Sequence, residues 1–408
     1  MRLANRGRAT KESSLTVATT VERAMLGASW IRRMFEAGRA LKERIGDENV
    51  FDFSLGNPFL EPPEAFQQAL RDLTHNPPPG MHRYMPNGGF PSTRAAVARK
   101  VSAEQGVEVE GDDVIMTVGA AGSIHVTLKA VLDPGDEVII LAPYFVEYLF
   151  YIETHQGVTR IVETDEHFNL DIAAIASAIG PRTKALIINT PNNPTGVIYG
   201  AESMRQLGEL LAAKEQEYGR TIYLLVDTPY AKITYGGASN PPLFNAHPST
   251  IINHSHSKDL GLAGERLGYL VISPRAPARQ MLRGACTFCN RVLGFINAPA
   301  LMQLALERAI DATVDMAPYI EAQRVLVTGL RAAGYEFVEP EGAFYVFPRA
   351  PGGDDLAFTE MLREQNVLVV PGRGFGRAGY VRVAYCVDPK TLERALPAFA
   401  KVKKRMGG

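Results

Sequence analysis

The sequence predicts an α/β protein, with a large domain holding a mostly parallel seven-stranded sheet between helices and a smaller α+β domain after it. Three observations carry this expectation. Short β-branched, apolar runs recur at residues 114–118, 137–141, 158–162, 185–189, 222–226, 251–254 and 268–272. Helix-like stretches, such as 123–132 and 202–218, separate several of them. The runs are apolar residue after residue instead of alternating with polar positions, which is the pattern of strands covered on both faces in a helix-flanked parallel sheet.

In chain order, residues 21–45 read as helical and, set apart from the sheet by polar residues, are expected to pack with the second domain. The sheet is expected within roughly residues 50–290. A long helical pattern runs from about 301 to 333 and is stopped by Gly334, a residue that readily takes the left-handed conformation in which helices end. Short strands are expected at 336–338, 344–347, 367–370 and 380–384 among further helices. This divides the chain into a large domain over 50–295 and a small one built from 1–49 and 296–408. There is no internal repeat, and low complexity is confined to the three prolines at 77–79.

Composition narrows the class of function. Of 408 residues, 46% are hydrophobic and 21% charged, enough apolar material for a sizeable core. Lys and Arg (43) nearly cancel Asp and Glu (44), so no net field draws the chain to nucleic acid or to an anionic membrane. No apolar run approaches the roughly 20 residues of a membrane helix, and residues 1–14 lack the apolar segment of a secretory signal, so a cytoplasmic location is expected. The three cysteines are too few for a disulfide framework. Cys286 and Cys289 form a C-x-x-C without the second pair that zinc requires, so no metal site is expected.

The chemistry is carried by four strand-end motifs. Ser255-His256-Ser257-Lys258 follows a strand and leads into Gly261-Leu262-Ala263-Gly264-Glu265-Arg266-Leu267-Gly268, placing a lysine where open α/β sheets bind ligands. Residues 222–226 run apolar into Asp227, with Tyr230 three residues on; a carboxylate ending a buried strand needs a cationic partner or must protonate. Asn189-Thr190-Pro191-Asn192-Asn193-Pro194-Thr195-Gly196 is a turn at another strand end. Gly119-Ala120-Ala121-Gly122-Ser123 joins a strand to a helix, aiming free backbone N–H groups and small side chains at an anion. Taken singly, each has a plainer reading: a surface lysine, a helix cap or ion pair, a loop, a ligand-free turn. Gly372-x-Gly374-x-Gly376 has neither the helix nor the downstream acidic residue of a dinucleotide loop and is set aside.

Together these residues resemble the class I/II, or fold-type I, aminotransferases that use pyridoxal 5′-phosphate, of the aspartate-aminotransferase-like kind. The resemblance runs from Gly56-Asn57-Pro58, through Tyr84-x-Pro86-x-x-Gly89-x-Pro91-x-x-Arg94 and the strand-end motifs, to Val381-Arg382-Val383. It implies that Lys258 holds the cofactor as a Schiff base and shuttles a proton, that Asp227 pairs with the pyridine nitrogen, and that Asn193 and Tyr230 bond the ring's phenolic oxygen. It further implies that Phe145 stacks on the ring, and that Gly119, Ala120, Ala121, Ser255, Ser257 and Arg266 hold the phosphate. Arg382 matches the arginine that clamps the substrate α-carboxylate, with Gly56 and Asn193 beside it. Tyr84 and Asn297 match positions that reach the partner's site, implying a homodimer.

The implied reaction moves an amino group between an L-amino acid and a 2-oxo acid by a ping-pong mechanism. Substrate choice is less marked. Bacterial aspartate-type members can carry a lysine after the glycine turn for the substrate's second carboxylate; Ala121 stands there in this chain, and Arg291 is the candidate replacement. A carbon-sulfur β-lyase on the same scaffold would share Lys258, Asp227 and Arg382. A non-catalytic aminotransferase-like sensor would carry an added DNA-binding domain, and no basic recognition helix is apparent here.

Overall fold

The computed structural model describes residues 16–26 and 30–407. Its strands, numbered in chain order, are β1 (Phe51–Asp52), β2 (Val114–Thr117), β3 (Glu137–Ala142), β4 (Val158–Glu163), β5 (Thr183–Asn189), β6 (Tyr223–Asp227), β7 (Thr250–Ser255), β8 (Gly268–Ile272), β9 (Tyr345–Val346), β10 (Val367–Leu368), β11 (Val370–Pro371) and β12 (Val381–Ala384). Seven of them form one sheet in the order β2-β8-β7-β6-β5-β3-β4. β8 runs antiparallel to both neighbours, and the remaining pairs are parallel. The expected mostly parallel α/β sheet is therefore the observed one.

Continuous apolar strands work here because the sheet is buried on both sides. Successive residues alternate between two cores: Ile139, Leu186, Leu224 and Ile252 point into one, while Val138, Ile140, Ile187, Leu225 and Ile251 point into the other. β4 is the exception. It lies at the edge of the sheet, mostly exposed, and carries Arg160 and Glu163, charges that discourage further strand pairing.

A separate core gathers around the three-stranded antiparallel sheet β11-β12-β9 and helices Ala317–Ala332, Asp355–Arg363 and Pro389–Arg405. Helices Thr19–Leu26 and Trp30–Ile45 cover much of the stretch expected to be helical. Leu41 of the second packs on Val50 and Leu368, next to the short β1–β10 pair.

Two local expectations are corrected. The stretch 301–333 is two helices, Ala300–Arg308 and Ala317–Ala332. The first packs into the core of the large sheet through Met302, Ala305 and Leu306, and the second packs into the other core through Tyr319, Ala322 and Leu326. The break is fixed by tertiary bonds: Thr313 Oγ1 and Val314 N both donate to the Asp259 carbonyl. Residues 336–338 form no strand. Among the described residues their backbone is tied to a neighbouring segment by one bond, from Arg349 N to the Glu336 carbonyl, and one bond is not a ladder.

Candidate active site

The parallel register lines up the carboxyl ends of β5, β6 and β7, with Asn189 opposite Asp227 and Asp227 opposite Asn253. Loops leaving these ends, and those of β2 and β3, bring Asn193, Tyr230, Ser255, Ser257, Lys258, Ala120, Ala121 and Phe145 to one cavity of about 310 Å³. Gly56, Tyr345 and Arg382 close it from the side of the second core.

One end of the cavity is built for an anion. Gly119 opens helix Gly119–Val131, whose first turn has N–H groups without intrahelical partners. Gly119 has φ 77°, and a Cβ there would stand 3.1 Å from Arg266 Nη2 and 3.4 Å from Ser255 Oγ. Glycine keeps that space clear. Arg266 donates to the carbonyls of Ala263 and Val118, and among the described residues no carboxylate pairs with it. Ser255 Oγ and Ser257 Oγ lie 2.8 Å apart, and Ser255 caps the one-turn helix His256–Asp259. A guanidinium, two hydroxyls and helix-end amides around one clear spot are the donors a phosphate takes.

Lys258 follows on that short helix. Its Nζ donates to the Gly56 carbonyl at 2.6 Å and sits 5.5 Å from the centre of the Phe344 ring, with no carboxylate partner among the described residues. Burial, aided by the Arg382 and Arg266 cations, pushes its ammonium down to about 8. The neighbouring Cys386 thiol is pushed up to about 12 by burial, so it stays neutral and offers no counter-charge. The approach of chain to chain here requires Gly56, since a Cβ at that position would collide with Tyr345 Oη.

Asp227 lies buried at the end of β6. Tyr148 donates to its Oδ2, but Oδ1 is buried without any partner. Burial raises the carboxyl to about 7, against the opposing hydrogen bond from Tyr148 and the influence of His254. An orphaned carboxylate oxygen facing a cavity calls for an N–H cation. Tyr230 and Tyr345 share a hydrogen bond of 2.9 Å between hydroxyls. Phe145 packs edge-on against Tyr148 with ring centres 5.6 Å apart.

Arg382 is a second unmet demand. Only 2% exposed, it donates to Asn193 Oδ1 at 3.0 Å and to the Ser54 carbonyl at 2.6 Å, while its Nε has no partner. Its guanidinium lies 4.6 Å from the Tyr345 ring centre and 4.8 Å from that of Phe375. Burial lowers its affinity for the proton. A buried arginine close to two aromatic rings, with no counter-anion among the described residues, is prepared for a planar carboxylate.

Of the expected residues, Gly119 stands just behind the cavity wall beside Arg266, and three lie away from it. Tyr84 is 94% exposed and, with Asn297, lines a different surface hollow. Asn297 Nδ2 donates to the Pro86 carbonyl. Arg291 lies in another hollow, over the Phe288 ring, and does not meet the cavity formed by its own chain. Conversely, Tyr148, Tyr151 and Tyr345 belong to the site although sequence reasoning did not single them out. The spacing Phe145-x-x-Tyr148-x-x-Tyr151 was the available signal, since it puts three aromatics on one helical face.

The orphaned Asp227 Oδ1, the Arg266 cradle kept open by Gly119, and the amine of Lys258 fit the ring nitrogen, phosphate and aldehyde of pyridoxal phosphate. Comparison with known proteins agrees. Residues 48–399 match the model of the family described as aminotransferase class I and II. An aspartate/prephenate aminotransferase of Thermus thermophilus is 34% identical over 375 residues, 90% of this chain and 94% of that protein. Aromatic-amino-acid aminotransferase 2 of Thermococcus litoralis is 31% identical, covering 93% of this chain and 97% of that one. Among solved structures, an amino transferase from Eubacterium rectale superposes with TM-score 0.93 at 35% identity, covering 96% of this chain and 100% of that chain. The aspartate aminotransferase of Thermus thermophilus with maleate gives 0.81 at 30% identity, over 92% and 97% of the two chains.

Proposed function

The chain belongs to the class I and II aminotransferases, and from that premise we propose how its own residues divide the work of moving an amino group from an L-amino acid to a 2-oxo acid. The enzyme is pyridoxal-phosphate dependent, as the family is. The observation that carries the assignment is the meeting, in one cavity, of a lysine and an arginine without counter-ions and a carboxylate oxygen without a donor.

Bound in that cavity, pyridoxal phosphate supplies the carbonyl that takes up the amino group and a ring that draws off the electron pair left on the α-carbon. Asp227 Oδ1, buried without a partner, would accept the ring N–H and favour the cationic ring. Arg266, Ser255, Ser257 and the 119–121 amides would anchor the phosphate, Phe145 would pack on the ring, and Tyr230 with Asn193 would bond its oxygen. Arg382 grips the substrate α-carboxylate and so fixes which α-carbon bond faces Lys258. Lys258 Nζ, whose ammonium is already pushed down to about 8, takes the α-proton and returns it.

The donor we propose is a dicarboxylic amino acid of the aspartate type, a reading supported by the names of the relatives. Its second carboxylate finds no further cation in the cavity, whose Lys258, Arg266 and Arg382 are already engaged. Arg291 of a second copy is the proposed partner. A homodimer is supported by the exposed apolar residues Met281, Phe288 and Val292 on one face of helix Arg279–Val292, with Ile296 and Tyr84 nearby in sequence or in the adjoining hollow. In that dimer Tyr84 and Asn297 complete the partner's site, and we place the enzyme in the cytoplasm.

The test is spectroscopic. Each of a panel of amino acids is mixed with the cofactor-loaded protein and the cofactor's absorbance followed, with 2-oxo acids added to reverse the change. Aspartate and glutamate are expected to convert it fastest, and oxaloacetate or 2-oxoglutarate to restore it. Faster conversion by alanine would overturn the dicarboxylate assignment.

A further inference from the structure

His254, His256 and Asp259 surround Lys258 in the sequence yet line none of its cavity. They form a cluster of their own, each fully or almost fully buried. Their three ligand atoms lie within 4.8 Å of one another. His254 Nε2 is 3.4 Å from Asp259 Oδ2, and His256 Nδ1 is 3.2 Å from the same oxygen. A tetrahedral ion with bonds of about 2.0–2.1 Å holds its ligand atoms about 3.3–3.4 Å apart.

The hydrogen-bond pattern singles out the gap between these atoms. His254 Nδ1 is 2.9 Å from the Thr228 carbonyl, which can only accept, so Nδ1 carries the hydrogen. Nε2 then presents a lone pair to Asp259 Oδ2, which also only accepts. Two acceptors that face each other need a cation between them, either a metal ion or a second ring proton on His254 that pairs it with Asp259. A histidine whose other ring nitrogen is tied to a carbonyl is the arrangement that orients a metal ligand. His256 Nδ1 reaches the same oxygen, and to offer a lone pair there its hydrogen must sit on Nε2, which is buried without a partner.

A cavity borders one of the three residues. His254 forms part of the wall of a second cavity, of about 300 Å³, shared with Thr228, Lys232, Glu104 and Asn240, with room for water. Lys232 opposes a metal, since its Nζ stands 3.7 Å from Asp259 Oδ2. That ammonium also donates to the Ala312 carbonyl, an attachment it keeps when it yields the carboxylate.

From this geometry we infer that His254, His256 and Asp259 bind one divalent ion of the zinc type, which braces the turn carrying Lys258 by tying the end of β7 to helix His256–Asp259. The ion takes no part in amino transfer. Its donor set of two imidazoles and a carboxylate, with water as the fourth ligand, suits zinc or cobalt and not calcium or magnesium.

The experiment uses untagged, cofactor-loaded protein stripped with dipicolinate, freed of excess cofactor and titrated with Co²⁺. One equivalent per chain is expected, with the visible bands of four-coordinate Co²⁺ at longer wavelength than the cofactor's absorption, and Zn²⁺ should abolish them. His256→Asn and Asp259→Asn should each weaken binding at least about tenfold, and Lys232→Met should tighten it. If the unsubstituted enzyme retains no ion and shows no bands, the inference fails, whether or not the variants fold. Equal binding by all variants would overturn it too. So would a nitrogen-15 spectrum of the zinc-treated enzyme with hydrogens on both ring nitrogens of His254, because a proton would then fill the gap.

Discussion

At the scale of single residues, the site is a set of unmet demands. Asp227 has one oxygen satisfied by Tyr148 and one by nothing, and its carboxyl stands at about 7 as a result of burial. In the cofactor-free protein the folded state therefore holds a proton that the unfolded chain, near 3.8, has already released. The folded state binds more protons across that window, so stability falls as pH rises from about 4 to about 7 and is then level. Asp227→Asn removes this loss. Cofactor-free Asp227→Asn is expected to melt above the unsubstituted protein at pH 8, while its cofactor-loaded form loses nearly all transamination. Tyr148→Phe deletes the one donor to the carboxylate, and a hydrogen bond to a charged group is worth roughly 1.5–3 kcal/mol. Cofactor affinity, measured by equilibrium dialysis, should fall roughly 10- to 100-fold, and the acid limb of the kcat profile should move to higher pH. An unchanged limb would remove Tyr148 from the electrostatics of the site.

At the scale of elements, position comes from strand ends and helix starts. The turn from β2 into helix Gly119–Val131 works as an anion seat because Gly119 has φ 77° and no Cβ. Gly119→Ala imposes a left-handed alanine, at about 1–2 kcal/mol, and sets a methyl 3.1 Å from Arg266 Nη2. The expected result is a lower melting temperature and cofactor binding weakened tenfold or more, with inorganic phosphate no longer competing for the seat. This seat was legible in the sequence, since strand, glycine and small residues occur in that order. The division of 301–333 into two helices was only partly so: Asp315 and Pro318 mark the start of the second helix, yet the apolar spacing continues across the break. The segment between the two helices is held by bonds from Thr313 and Val314 to the carbonyl of Asp259, a residue far away in sequence.

At the scale of the whole molecule, two cores meet across the cavity. One supplies the strand ends; the other supplies Arg382 and Tyr345. The proposed dimer adds Tyr84 and Arg291 from a second copy, and subunit mixing tests it. Lys258→Ala and Tyr84→Ala proteins, each inactive or nearly so alone, should regain activity when unfolded together and refolded as hybrids. One site of each hybrid then has both residues intact. No recovery would mean that Tyr84 does not serve a neighbour. Arg291→Ala should raise KM for aspartate and glutamate at least about tenfold and leave alanine unaffected, because it removes binding to the second carboxylate alone. Equal losses for all donors would exclude that role.

By itself the sequence determined the sheet, the cofactor and the reaction family. Those rest on local patterns: apolar runs long enough to be strands, and short motifs such as Ser255-x-Ser257-Lys258 whose residues act within a few positions of one another. Tertiary structure alone decided which groups are left wanting. Whether Asp227 keeps an oxygen free, whether Arg382 meets a carboxylate, and whether Tyr148, His254 and Lys232 stand beside their partners depend on contacts between segments far apart in the chain. Burial sets the strength of each of those demands, and burial is a property of the packed molecule, not of any stretch of its sequence.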